Sequence, residues 1–146
     1  MRSRKKQKKM SFTEKKYKKL ALQVSLTGLS FCCFDTLNKK ILSYNEVHFD
    51  TFHKATKIEE LFADAFSDFP ELKDTYDEIV VIHNNTLSTF VPTALFDENY
   101  LGSYLQYNTK VFETDFFAYD TIANYEMNTV YIPYVNMNNF FIDQFG

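Results

Sequence analysis

Residues 20–37, LALQVSLTGLSFCCFDTL, constrain the fold of this chain more than any other stretch. Leu20, Leu22, Val24 and Leu26 alternate with Ala21, Gln23 and Ser25. That period of two is what a strand with one buried face imposes. After Thr27-Gly28 the alternation resumes, with Phe31, Cys33 and Asp35 on one face and Ser30, Cys32 and Phe34 on the other. Gly28 is one of only three glycines, and a hairpin turn at Thr27-Gly28 is expected to use its backbone freedom. A third alternating run covers residues 40–49, with a turn at Asn38-Lys39 before it. The chain therefore opens with three antiparallel strands.

A helix is predicted over residues 56–69. Ile58, Leu61, Phe62, Ala65, Phe66 and Phe69 form one apolar stripe at three- and four-residue spacing. Thr56 and Glu59 have the spacing of a capping box, and Pro70 stops the helix. The stripe reads as core. Residues 72–77 read as a polar connector, and residues 78–83, EIVVIH, as a central strand buried on both faces. Residues 87–91 are a further strand or an extended link. A second helix is expected over residues 92–108, with Pro92 in its first turn. Strands are expected over 115–122 and 127–133. A third helix follows over 136–145, capped by Asn136 and stopped by Gly146. Strands mixed with helices in this order predict an α/β class, with a mixed sheet and helices packed on it. No internal repeat is present.

Charge divides the chain. Residues 1–19 hold ten of the sixteen basic residues and one acid; residues 20–146 hold six basic and eighteen acidic residues. An acidic body makes nucleic acid an unexpected ligand for it, since phosphate binding needs clustered Lys or Arg. The segment 1–19 reads as a disordered basic tail, and Met10 offers an alternative translation start. No signal peptide and no run of about 18 apolar residues is seen. Cys32 and Cys33 are the only cysteines, and as strand neighbours they point to opposite faces. A reducing cytoplasm is the expected compartment.

The segments VSLTGLSF, IVVIHNNTLSTFVPTALFDENYLGSYL and YDTIANYEMNTVYIPYVNMNNFFIDQFG carry a resemblance. They are similar to a bacterial family termed domain of unknown function 3822, over residues 20–146. The opening hairpin also resembles the start of an actin-like ATPase (ribonuclease H-like) lobe. That resemblance implies a turn able to cradle phosphate, here Ser25, Thr27, Gly28 and Ser30. It also places His83, Asn84 and Asn85, at the end of a central strand, near a ligand cleft. The chain departs from the pattern at one point. Ser25 or Thr27 stands where the phosphate-turn Asp would be. A hydroxyl supplies a hydrogen bond but not the charge that orients a metal. Such ATPases bind nucleotide between two lobes, and residues 20–146 correspond to one, with no second lobe seen: either the sequence is a fragment, or a partner supplies the other lobe, or no nucleotide binds.

Other chemistry is missing from the sequence. No Gly-rich phosphate loop, His-Glu-x-x-His, Cys-x-x-Cys or nucleophile elbow occurs. His48, His53 and His83 lack metal-ligand spacing. Asp97 and Glu98 are adjacent and face apart, so they read as a solvated face, and Asp120 reads as an edge or turn residue. No catalytic residue, cofactor or metal is expected. The leading expectation is a non-catalytic lobe acting through protein–protein contact, with homo-oligomerisation left open. One alternative is ATP binding or weak ATPase activity at the 25–30 turn, with Asn84 and Asn85 alongside. Another is binding of nucleic acid or an anionic membrane by the tail.

Overall fold

A computed structural model describes residues 14–50 and 56–146. Most of the basic tail, Met10 and His53 lie outside the described residues. The order is β1 (Lys18–Ser25), β2 (Gly28–Asp35), β3 (Lys40–His48), α1 (Ile58–Asp68), β4 (Glu78–His83), β5 (Ser88–Pro92), α2 (Leu101–Leu105), β6 (Ala118–Ile122), β7 (Met127–Tyr131) and α3 (Val135–Phe145). Two sheets form. The first is mixed, in the order β3-β2-β1-β4, and the second is antiparallel, in the order β5-β7-β6.

The opening hairpin follows its alternation. Leu20, Leu22 and Val24 of β1 and Leu29, Phe31 and Cys33 of β2 are all buried. They meet Phe62, Ala65 and Phe66 of α1 and Met137 and Phe141 of α3 in one cluster. Burying each large apolar side chain here contributes about 1.5–3 kcal/mol. The aromatic stripe of α1 is core, as its spacing implies. The Phe62 ring stands edge-on to Phe49 at 5.1 Å and to Phe141 at 5.1 Å. Both helices lie on one face of the first sheet. In the smaller core, Val91, Leu105 and Val130 pack under the second sheet, joined by Leu101, Tyr104 and Phe117.

Asp35 closes the second hairpin. Its carboxylate accepts from Leu37 N, Asn38 N and Asn38 Nδ2 at 2.8–3.0 Å, and Lys39 takes a left-handed φ of 54°. These bonds, the Asn38 amide first, hold its carboxyl below the usual range. Asp77 does the same where the chain enters β1, accepting from Lys16 N and Tyr17 N at 2.7 Å each. The Lys16 amide is the main cause of its lowered pKa. A depressed folded pKa gives stability that is present above the unfolded value, near 3.8, and lost as pH falls through the folded one. Asp77→Asn is therefore expected to flatten the acid limb of a melting-temperature profile below about pH 4. Superimposable wild-type and variant profiles there would remove Asp77 from the account.

Four expectations are corrected. β4 is an edge strand, not a central one, and Ile82 is 54% exposed. Leu72 is core, buried within the turn Pro70–Lys73. Neither helix uses its expected cap: α1 starts from Lys57 and α3 from Tyr134, without side-chain cap bonds. The long helix over 92–108 is broken into short turns and α2. Pro92 ends β5, opposite Met127. The Asp97 carboxylate accepts from Asn99 N at 2.9 Å. The Tyr104 hydroxyl accepts from Asp97 N and donates to Leu95 O, both at 2.8 Å. These bonds offer the backbone an alternative to helix.

Candidate functional site

β1 and β4 run parallel, with Val24 opposite His83 and Asn84 N donating to Val24 O at 2.8 Å. Ligands of open α/β sheets bind outside such carboxyl ends. The β1–β2 turn projects from this end. Its two turn residues are Leu26 and Thr27; Gly28 already belongs to β2, opposite Ser25. Glycine is required there for close approach. A Cβ on Gly28 would lie 2.1 Å from Val47 O of β3.

The turn's hydroxyls bind one another. Ser25 Oγ lies 3.0 Å from Thr27 Oγ1, accepts from Thr27 N at 3.2 Å and donates to Gly28 O at 3.3 Å. A cavity of about 190 Å³ gathers Ser25, Thr27, Gly28, Ser30 and Asn84. Five of the six residues expected around phosphate thus lie together. The sixth, Asn85, turns away. Its Nδ2 donates to Ile132 O and its Oδ1 accepts from Leu87 N, both at 2.8 Å, which ties the strand end to the second sheet.

Glu46 and His48 also line this cavity, and nothing in their local sequence places either beside the turn. Their signal is the register: Ser30 pairs with Glu46 and Gly28 with His48, so both project beside the turn. Glu46 Oε1 lies 3.5 Å from His48 Nε2. Among the described residues no Lys or Arg lines the cavity. A phosphate charge about 4 Å from the Glu46 carboxylate would be repelled by about 4 kcal/mol at an effective dielectric of 20. The volume also falls below the roughly 300–1,000 Å³ of ordinary ligand pockets.

His83 faces inward, its ring edge-on to Phe141 at 6.2 Å, and burial lowers its pKa. It borders a second cavity of about 430 Å³ with Asn85, Tyr131, Tyr134 and Asn138. Asp120 sits on edge strand β6, where Tyr131 OH donates to it at 2.9 Å. Asp97 is occupied by Asn99, and Glu98 accepts from Tyr119 OH at 3.1 Å. No group of three or more His, Cys, Asp or Glu residues could hold a metal ion among the described residues.

The outer face of the first sheet is different in character. With α1 and α3 on the other side, it presents Ala21, Cys32, Phe34, Val80 and Ile82 together with Ile41 and Tyr44 of β3. Ile41 and Tyr44 are 68% and 62% exposed. Cys32 is half-buried on this face and Cys33 buried in the core; both are free thiols.

The family described as Protein of unknown function (DUF3822) matches residues 7–146. No curated protein matches the sequence. Among solved structures the chain is similar to a Bacteroides thetaiotaomicron protein with an actin-like ATPase fold and unknown function. The TM-score is 0.67 at 19% identity, over 93% of this chain and 52% of that one. A weaker likeness, TM-score 0.48 at 12% identity, covers 87% of this chain and 51% of the cytoplasmic domain of EpsL. That protein is an inner-membrane component of the type II secretion system of Vibrio cholerae. The chain spans about half the length of each. The first likeness establishes the fold as actin-like. No helix among the described residues is long and apolar enough to cross a membrane.

Proposed function

The chain belongs to the DUF3822 family, and we propose that it is a non-catalytic actin-like lobe, working in the reducing cytoplasm, whose task is to dock a partner polypeptide. One observation carries this reading. β4 is apolar on both faces: Ile79 and Val81 pack on the core, while Val80 and Ile82 point outward beside Ala21 and Gln23 of β1. Parallel strand pairs are ordinarily covered on both sides. Here α1 and α3 cover one. Ile41, Tyr44 and Ile82 extend this apolar strip, which no helix among the described residues covers, to both edges of the sheet.

The rival, ATP held by Ser25, Thr27, Gly28, Ser30, Asn84 and Asn85, has the turn's likeness in its favour. Against it stands the Glu46 carboxylate, with no Lys or Arg in the lining among the described residues. Thermal melting with millimolar Mg-ATP separates the two. A ligand at a hundred times its Kd stabilises the native state by about 2.7 kcal/mol, or several degrees for a chain of this length. We expect no shift. An upward shift that Thr27→Ala abolishes would establish the rival.

A further inference from the structure

The cavity at the β1–β2 turn opens on the same face of the first sheet as the apolar strip. The register fixes this. Tyr44 pairs with Cys32 and Glu46 with Ser30, so Glu46 stands two residues beyond Tyr44 on the same side of β3, about 7 Å along the strand. Ser30 and Cys32 are related in the same way on β2, and Gln23 and Ala21 on β1. One row of the outer face is therefore apolar, and the next, Glu46, Ser30 and Gln23, is polar and lines the cavity. The charges of this face are unbalanced. Lys19 and Glu78, at its other end, bond each other at 2.9 Å. The one ion-pair contact of Glu46 among the described residues is His48, at 3.5 Å. The side chains of Ser30 and Gln23 make no hydrogen bond among the described residues. The Glu46 side chain is 53% exposed, and a polypeptide lying over Tyr44 and Cys32 takes water from it. A carboxylate left buried and unpaired is costly, and a hydrogen-bonded cation relieves that cost.

We infer that the partner polypeptide places an arginine side chain in this cavity, its guanidinium on Glu46, Ser30 and Gln23, with apolar residues beside it on Tyr44 and Cys32. The inference rests on the docking function proposed above and adds the chemistry the partner carries. A guanidinium has five donors and no acceptor, and it meets a carboxylate through two parallel bonds. The cavity, about 190 Å³, is smaller than ordinary ligand pockets and suits one side chain rather than a cofactor. The outer face of a second copy lacks the group, since its one Lys or Arg among the described residues is Lys19, held by Glu78. The chain's own residues 1–13 hold six basic residues, but only Met1, Met10 and Phe12 to lay on the strip. They also lead into β1 at Lys18, roughly 23 Å from the turn at 3.3 Å per residue. A partner that brings arginine and apolar residues together meets both rows at once.

The test is selection from a phage-displayed library of random twelve-residue peptides on the full chain, keeping those that slow N-ethylmaleimide labelling of Cys32. The selected peptides should share an arginine flanked by apolar residues. Replacing that arginine with citrulline, which keeps its shape and removes its charge, should weaken binding about tenfold. Glu46→Gln should weaken the arginine peptide by the same factor, and the citrulline peptide should bind wild type and Glu46→Gln equally. Glu46 is exposed, so the variant should melt within a few degrees of wild type; if it unfolds, the citrulline arm reads the same contact on the unaltered chain. Selection on Glu46→Arg should enrich aspartate or glutamate instead. Peptides that shield Cys32 but share no arginine, or whose binding ignores both Glu46→Gln and citrulline, overturn the inference and leave the docking function standing. If no selected peptide slows Cys32 labelling, the docking function fails and the inference with it. Peptides that bind only once residues 1–13 are deleted assign the cavity to the chain's own segment. A chain dimer that Glu46→Gln dissociates assigns it to a second copy. Either result overturns the inference.

Discussion

Replacing Phe62 with alanine is expected to cost about 3–5 kcal/mol of stability. Phe62 is fully buried and is the ring through which α1 meets both Phe49 and the aromatic residues of α3. Phe140 and Phe141 lie 5.8 and 5.1 Å from it. Truncation removes the transfer energy of the ring and leaves a cavity between two helices and a sheet. Neither helix can close it without breaking contacts elsewhere. At about 2–4 °C per kcal/mol for a chain of this length, the melting temperature should fall by roughly 10 °C or more. Urea unfolding should move its midpoint with little change in slope. Phe90→Ala is the control. That ring is 66% exposed on β5, and its loss should stay within about 0.5 kcal/mol. Equal costs for the two variants would refute the placement of the core.

Gly28→Ala should be nearly as damaging. The added methyl would stand 2.1 Å from Val47 O, and the obstacle is backbone, which cannot swing aside as a side chain would. β2 and β3 must separate at their ends, where Gly28 pairs with His48. Overpacking costs about 1–3 kcal/mol where side chains absorb it, so about 3 kcal/mol is expected here. A urea midpoint unchanged in Gly28→Ala would contradict the register. This has a practical consequence for the nucleotide question. A lost ligand effect in a Gly28 variant could come from the distorted sheet alone, so Thr27→Ala is the informative substitution.

The parts legible in the sequence were those with a strong period. Leu20, Leu22 and Val24 marked the inner face of β1, and the Phe62–Phe66 stripe marked the inner face of α1, because burial on one side leaves a periodic trace. β4 shows where that reasoning stops. A continuous run of Ile and Val says that both faces are apolar; it does not say that both are covered. Residues 92–108 misled for another reason. Pro92 and the spacing of Leu101, Tyr104 and Leu105 suit a helix. The bonds from the Tyr104 hydroxyl to Leu95 and Asp97 are tertiary and leave no periodic trace. At the site, Ser25, Thr27, Gly28 and Ser30 were legible because they are contiguous. Glu46 and His48, which decide the electrostatics, arrive through pairing with β3 and required the register.

The central claim is that the outer face of the first sheet is covered by a polypeptide when the protein works. Cys32 reports on that face directly, and buried Cys33 is an internal reference. The measurement is the rate of N-ethylmaleimide labelling of Cys32, in the dilute purified chain and in intact cells producing the chain from its own locus. The account predicts that Cys32 labels readily in the purified chain, is protected in cells, and recovers its reactivity in cells when Tyr44→Lys and Ile82→Lys are introduced together. Equal labelling of Cys32 in cells and in the purified chain would contradict it.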